Sequence, residues 1–219
     1  AAQAFVHLSF FDSQIARELG KGGVLFPEET TIPGRKVMDL RYGENPHQSA
    51  VLYIEPGTNS PIANLEKLAG GEPSATNITD IASGLELVRM LGNDIAAVVI
   101  KHNTPCGIAL GSNAAQALSR AIEADPVSAF GGVIVLNRTV DMRVANIIAR
   151  FKQSRGQFDI IAAPNVTDRA KDLITSVRKK TGVYTFGPIP DQRNDPKQIK
   201  PFDGGFILQD WDDDPMRSF

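Results

Sequence analysis

Apolar residues recur with two different spacings along the chain between residues 77 and 186. Ile78, Ile81, Leu85 and Val88 repeat every three to four residues, which is typical of an amphipathic helix. The continuous apolar run at 96–100 is typical of a buried strand. The two spacings together predict helices over 77–91, 112–124, 141–151 and 167–180, and strands over 96–100, 133–136, 158–162 and 183–186. Helices and strands that alternate in this way predict an α/β protein with a layered sheet and helical crossovers.

The residues before this alternating region carry weaker patterns. A short helix is predicted over 12–19, because its apolar residues fall on one side and Gly20 follows. Residues 28–35 are polar and contain proline and glycine, which predicts a linker or loop. The first stretch is therefore interpreted as a tail that joins this domain to a preceding one.

Lys101 and His102 stand at the end of the strand predicted over 96–100. In a layered α/β sheet, side chains at the carboxyl end of a strand face the crevice where ligands bind. A lysine there can hold an anion, and an imidazole can move a proton near neutral pH. Neighbouring strand residues point to opposite sides, so the two share a site only if a loop over 103–107 turns sharply. From spacing alone, a functional site and an ordinary charged pair at a strand exit are about equally well supported.

A second polar stretch, 40–48, contains Arg41, Tyr42 and His47 and precedes a strand predicted over 49–54. A guanidinium fork beside a phenol suits an anionic or planar ligand, above all a phosphate. The alternative is a surface loop with a hydrogen-bonded histidine. Spacing alone favours that alternative.

The composition narrows the possible classes of protein. A net charge of −2 gives no basic field that would suggest nucleic acid or an anionic membrane surface. No apolar stretch is long enough to span a bilayer. The single cysteine, Cys106, excludes an internal disulfide framework and predicts a reducing, cytoplasmic compartment.

The motifs of metal and nucleotide sites are incomplete in this sequence. A zinc deaminase needs H-x-E and P-C-x-x-C, but Pro105-Cys106 has no second cysteine to follow it. Nothing beyond its closeness to His102 marks Cys106 as a nucleophile. The acidic run at 212–214 has no spaced partners and is interpreted as a solvated tail. Neither G-x-G-x-x-G nor a P-loop is present. No metal is therefore expected.

Four motifs in a fixed order resemble the AICAR transformylase domain of the bifunctional AICAR transformylase/IMP cyclohydrolase family. Each motif is weak alone, and their shared order makes the resemblance specific. They are Leu40-Arg41-Tyr42-Gly43-Glu44-Asn45-Pro46-His47-Gln48, Lys101-His102-Asn103-Thr104-Pro105-Cys106-Gly107, Asp125-Pro126-Val127-Ser128-Ala129-Phe130-Gly131-Gly132 and Ile160-Ile161-Ala162-Ala163-Pro164.

The resemblance implies a three-layer α/β/α fold, a cytidine-deaminase-like unit without zinc. Residues 25–219 would be the first of two such units in the transformylase domain, and residues 1–24 resemble the end of the preceding cyclohydrolase domain. In this family most folate-binding residues lie in the second unit, and a dimer completes the site. The implied partners are AICAR, folate, and a homodimer or a complementary half-domain.

The implied reaction is formyl transfer from 10-formyltetrahydrofolate to the 5-amino group of AICAR in purine biosynthesis. By position, His102 matches the residue that transfers the proton, and Lys101 its neighbour that stabilises negative charge. Arg41 and Tyr42 match residues that hold the nucleotide. Gly131 matches a close backbone contact to AICAR. Asp159 matches a polar contact to the ligand.

The sequence departs from the family pattern at two places. Thr104 stands where bacterial relatives often have asparagine, and residues 74–80 differ from the usual S-Y-N-N-x-x-D. Two functions stay open. The chain is either the nucleotide-binding, Lys/His-bearing part of a formyltransferase, or a non-catalytic module that binds a nucleotide or a partner subunit.

Overall fold

A computed structural model describes residues 1–20, 23–24, 26–154, 156–195 and 197–212, with the side chains of 153–154 excepted. Most of the acidic run predicted to be a solvated tail, residues 213–214, lies outside these ranges. So does residue 25, where the main domain was predicted to begin.

Strands and helices alternate through most of the described chain. The strands are β1 (Arg35–Leu40), β2 (Ala50–Ile54), β3 (Glu66–Ala69), β4 (Ala96–Lys101), β5 (Thr104–Leu110), β6 (Val133–Leu136), β7 (Ile160–Ala163), β8 (Gly182–Thr185), β9 (Lys197–Phe202) and β10 (Gly205–Asp210). The helices are α1 (Ala2–Leu19), α2 (Ala75–Met90), α3 (Ala114–Ala124), α4 (Met142–Ser154) and α5 (Asp168–Val177), with a 3₁₀ turn at Pro61–Asn64.

The central sheet has the strand order β3-β8-β7-β6-β4-β5. Only the neighbours β6, β7 and β8 run parallel, and the other pairs are antiparallel. Helix α2 packs on one face of the sheet through Ile81 and Leu85. Helices α3, α4 and α5 cover the other face. The predicted three-layer α/β/α architecture is thereby confirmed, with buried apolar residues alternating between the two faces along β4.

The connection from β4 to β5 differs from the prediction. A helical crossover was expected after β4, but the chain reverses through His102 and Asn103 and returns as β5, which pairs antiparallel to β4. The predicted loop over 103–107 is therefore wrong, since Pro105 and Gly107 lie within β5. Proline is tolerated there because β5 is at the edge of the sheet.

Three further elements differ from their predicted bounds. Helix α1 begins at Ala2 rather than near residue 12. Helix α5 ends at Val177, so the cations at 178–180 lie beyond it. Strand β1 begins at Arg35, the last residue of the predicted linker, and pairs with β2 in a separate two-stranded sheet. No helix in the described ranges is long and apolar enough to cross a bilayer.

Candidate functional site

The predicted site residues lie along one end of the central sheet, where strands begin or end. We call this end the Lys101 edge, which is distinct from the outer strands of the sheet. Strand β4 ends there at Lys101, and β6 begins there because Val133 pairs with Ile100 in antiparallel register. Strands β7 and β8 run parallel to β6 and so begin at the same edge. The site was expected at the carboxyl ends of strands. That is correct for β4 only, because the parallel strands β6, β7 and β8 have their amino ends at this edge.

A two-residue turn shapes the middle of the Lys101 edge. His102 and Asn103 both have positive φ, 56° and 60°, as a tight turn between antiparallel strands requires. Lys101 Nζ donates a hydrogen bond to the backbone oxygen of Phe130 at 2.9 Å. The sharp turn needed for Lys101 and His102 to share a site is present, although two residues make it rather than the predicted loop.

Asp80 supports this turn from helix α2. Its carboxylate accepts the backbone N–H of Asn103 at 2.6 Å. The residue is only 3% exposed, and burial raises the pKa of the Asp80 carboxyl although the backbone N–H groups of Asn103 and His102 oppose the shift. The helix is fixed at its start by a reciprocal hydrogen-bonded cap between Ser74 and Asn77. Sequence reasoning missed this role of Asp80.

The raised pKa predicts how the stability of the protein changes with pH. A carboxyl whose pKa is raised by folding stabilises the fold below its unfolded pKa of about 3.9, and that contribution is lost as the pH rises through the folded pKa. We therefore expect the unfolding free energy of the wild type to fall relative to that of Asp80→Asn between pH 4 and pH 7. Urea unfolding of both proteins across this range measures the difference, and a wild type that gains relative stability with pH would contradict it.

Arg41 and Tyr42 reach the Lys101 edge because they are tied to the start of α2. The Arg41 N–H donates to the Pro73 oxygen at 2.8 Å, and the Ala75 N–H donates to the Tyr42 oxygen at 2.9 Å. The guanidinium lies 4.6 Å from the centre of the Tyr42 ring and donates to its hydroxyl at 2.9 Å. Since the Arg41 side chain is exposed, its remaining N–H groups can meet an anion from solvent.

Gly131 and Asp159 occupy neighbouring strand starts at the same edge. Gly131 has a φ of 74°, and no atom lies within 4 Å of where its Cβ would be, so its backbone is open to a ligand. Asp159 accepts a hydrogen bond from Arg178 at 3.2 Å, yet its side chain stays 40% exposed. The sequence assigned Arg178 to the end of a helix and gave no sign of this ion pair.

An open pocket of about 530 Å³ adjoins Lys101 and is otherwise lined by Pro126, Val127 and Phe130. Asp125 holds the loop that carries these residues, because its carboxylate accepts hydrogen bonds from the Ser128 hydroxyl and from two backbone N–H groups. The same bonds lower the pKa of the Asp125 carboxyl, chiefly through the Ser128 hydroxyl. The pocket therefore places apolar surface beside a lysine ammonium.

Cys106 lies near this pocket but is not activated. Burial raises the pKa of the Cys106 thiol, the charge of Asp125 adds to the shift, and Lys101 opposes it. Since the thiolate is the reactive form, we expect iodoacetamide to alkylate Cys106 at least about threefold more slowly than N-acetylcysteine at pH 8. The rate should rise as the pH approaches 10. Alkylation faster than the reference thiol would show that this electrostatic account is wrong.

A second cleft, of about 470 Å³, lies at the opposite end of the sheet beside Asn137 and Arg138. The Arg138 guanidinium donates there to the backbone oxygens of Asn93 and Asn137. None of the predicted site residues is in this cleft. Within the described ranges, no three His, Cys, Asp or Glu side chains gather in a group that could hold a metal ion.

Fold and site together define a three-layer α/β protein with lysine, histidine and arginine side chains at one sheet edge. The model of the AICARFT/IMPCHase bienzyme family matches residues 1–218. The chain therefore belongs to the AICARFT/IMPCHase bienzyme family, and the resemblance drawn from the four motifs is confirmed.

Three relatives named "Bifunctional purine biosynthesis protein PurH" are similar to this chain. The protein of Halalkalibacterium halodurans is 38% identical over 214 residues, which is 97% of this chain and 40% of the relative. Those of Thermoanaerobacter sp. (strain X514) and Persephonella marina are each 36% identical, over 97% of this chain and 40% and 41% of their own lengths. The chain thus spans about 40% of the length of these curated relatives.

A solved structure of Acinetobacter baumannii RibD aligns with 48% of the chain and 35% of its own length. The identity is 13% and the TM-score 0.35, a similarity too low to bear on the fold.

Proposed function

We propose that this chain carries the AICAR-binding and Lys/His part of a site for formyl transfer from 10-formyltetrahydrofolate to AICAR. One observation carries the proposal, namely the gathering of Arg41, Tyr42, Lys101 and His102 at one sheet edge. Membership of the AICARFT/IMPCHase family supports it. So do the relatives, whose name refers to purine biosynthesis.

The amine of AICAR needs help to react, because its lone pair is delocalised into the imidazole ring and the carboxamide. In this proposal the His102 imidazole takes the proton from the amine as the amine attacks the formyl carbon. When the bond between that carbon and N10 of the folate breaks, His102 passes the proton to N10 and tetrahydrofolate leaves. Lys101 stabilises the negative charge that develops on the formyl oxygen. Its hydrogen bond to Phe130 holds the ammonium in place before the ligand arrives.

The nucleotide would be held from both sides of the Lys101 edge. Arg41 offers a charge-assisted fork to the phosphate, with the Tyr42 ring beneath the guanidinium. The open backbone of Gly131 and the exposed part of the Asp159 carboxylate offer polar contacts at the neighbouring strand starts. The apolar pocket beside Lys101 suits a ring of the folate co-substrate.

The partner would be a second copy of the chain or a complementary half-domain that supplies the other folate contacts. Phe5, Val6 and Leu19 on helix α1 are each more than two-thirds exposed, as expected of apolar residues that a preceding domain covers. In this proposal residues 1–24 belong with a preceding cyclohydrolase domain, and the main unit follows from residue 25.

Calorimetry and a turnover assay test the proposal together. We expect saturable AICAR binding to the 219-residue chain and slow or undetectable formyl transfer when 10-formyltetrahydrofolate is added. Absence of saturable binding would refute the proposed site. Binding without transfer, even when the complementary half-domain is supplied, would favour the alternative of a non-catalytic nucleotide-binding module.

A further inference from the structure

The turn at the Lys101 edge has positive φ angles, which residues other than glycine seldom adopt. Among the described residues, His102 and Asn103 are the non-glycine positions with positive φ. A two-residue turn of this type is usually made by Asn-Gly or Gly-Gly, because a side chain crowds the backbone there. A histidine at its first position therefore needs support from outside the hairpin.

That support comes from helix α2. The Asp80 carboxylate accepts the N–H of Asn103 at 2.6 Å, so the turn is bonded to one buried group. Ser83, one turn further along the helix, adds a hydrogen bond from its hydroxyl to the Asn103 side chain at 3.2 Å. The helix itself is anchored by Ile81, which is fully buried against the sheet.

The hairpin does not need this bond to set its strand pairing. Strands β4 and β5 are paired from Ala96 with Leu110 to Lys101 with Thr104, with a register shift between Val99 and Ile100, and this pairing joins the two strands directly. Burying a carboxylate is costly, and glycine would close the same turn without strain. What the bond adds is a fixed direction for the His102 side chain as it leaves the backbone.

We propose that Asp80 is a positioning residue that holds the His102 imidazole at the Lys101 edge by accepting the backbone N–H of Asn103 in the turn. The inference rests on the proposed function, since it gives the fixed imidazole its use in proton transfer. Asp80 also acts electrostatically on Cys106 of β5, together with Lys101 on β4 and Asp125 after α3.

The test compares Asp80→Asn with Asp80→Ala by NMR in the 219-residue chain. Asparagine keeps a carbonyl oxygen that can accept the Asn103 N–H, whereas alanine keeps none. For Asp80→Asn we expect the Asn103 amide to exchange slowly, as in the wild type, and the His102 imidazole signals to shift when AICAR is added. For Asp80→Ala we expect exchange at Asn103 at least tenfold faster and less than half of the AICAR-induced shift at His102.

The matched control is Asp141→Ala. Asp141 also accepts backbone N–H groups, from Arg143 and Val144, but it does so at the start of α4, at the other end of the sheet. This variant should leave the His102 signals unchanged. The dissociation constant of AICAR should change less than threefold in Asp80→Ala, because Arg41 and Tyr42 are intact, so the loss is specific to the imidazole.

The outcomes separate this inference from the proposed function. A wild type with a protected Asn103 amide but no AICAR-induced shift would refute the proposed function and, with it, this role for Asp80. A wild type and an Asp80→Ala variant that shift equally would overturn the role of Asp80 alone. If Asp80→Ala does not fold, Asp80→Asn decides: retained protection and shift support the inference, and loss of either overturns it.

Discussion

Replacing Arg41 with alanine is expected to weaken AICAR binding about 10- to 100-fold, because a charge-assisted hydrogen bond contributes roughly 1.5–3 kcal/mol. The guanidinium is exposed and its described contacts are with the neighbouring Tyr42, so its removal takes away ligand contacts rather than core packing. Isothermal calorimetry gives the dissociation constant. Thermal unfolding should show a midpoint within about 2 °C of the wild type.

Two further variants sharpen the Arg41 result. Arg41→Lys should lose part of the affinity, since lysine keeps the charge but lacks the planar fork that matches a phosphate. Arg143→Ala removes an exposed arginine whose described ion pair, with Asp141, lies at the other end of the sheet, and it should leave binding unchanged. Equal affinities for Arg41→Ala and the wild type would remove Arg41 from the proposed site.

The largest expected loss of stability comes from Gly107→Ala in β5. A Cβ at this position would lie 1.9 Å from the backbone oxygen of Ala121 in α3, and neither backbone can move without breaking the packing of helix on strand. Overpacking of this kind costs about 3 kcal/mol. For a chain of this size the unfolding midpoint should then fall by roughly 6–12 °C.

The matched control for this prediction is Gly71→Ala. A Cβ there would meet the Lys180 oxygen at 3.4 Å, an ordinary contact, so we expect a change of no more than about 0.5 kcal/mol. Urea unfolding of the two variants and the wild type gives both values. If Gly107→Ala were as stable as Gly71→Ala, the close approach of α3 to β5 would be wrong.

The sequence predicted best those elements whose burial leaves a strong pattern. The run at 96–100 is apolar throughout because β4 is covered by helices on both faces, and α2 shows a helical period because one side faces the sheet. Strand β5 was missed because Pro105 and Gly107 usually interrupt strands. Here the proline sits on an edge strand and the glycine admits a helix backbone. Neither the edge position of β5 nor the close approach of the helix backbone can be predicted from the spacing of residues in the sequence.

The residues of the candidate site also fall into those that the sequence suggested and those that it did not. Lys101 and His102 were suggested by their place at a strand end, and the structure confirms that Lys101 ends β4 and that His102 follows it in a sharp turn. Asp80 and Arg178 were missed because their partners are distant in the chain: Asp80 and Asn103 are 23 positions apart, and Asp159 and Arg178 are 19 positions apart. Such pairs can be predicted only when the order of the strands in the sheet is known.

The roles given to Arg41, Tyr42, Lys101, His102, Gly131 and Asp159 remain predictions. Their common position is what the structure adds, since a single ligand can touch several of them only if they share an edge. The cleft beside Arg138 at the opposite end offers a direct comparison within the same molecule.

The most direct test of AICAR binding at the Lys101 edge maps the amide chemical-shift changes that AICAR causes. We expect saturable shifts concentrated at Arg41, Tyr42, the 101–103 turn and Gly131, with no change beside Arg138. Saturable shifts centred on Asn93, Asn137 and Arg138 instead, or no saturable shift at all, would contradict it.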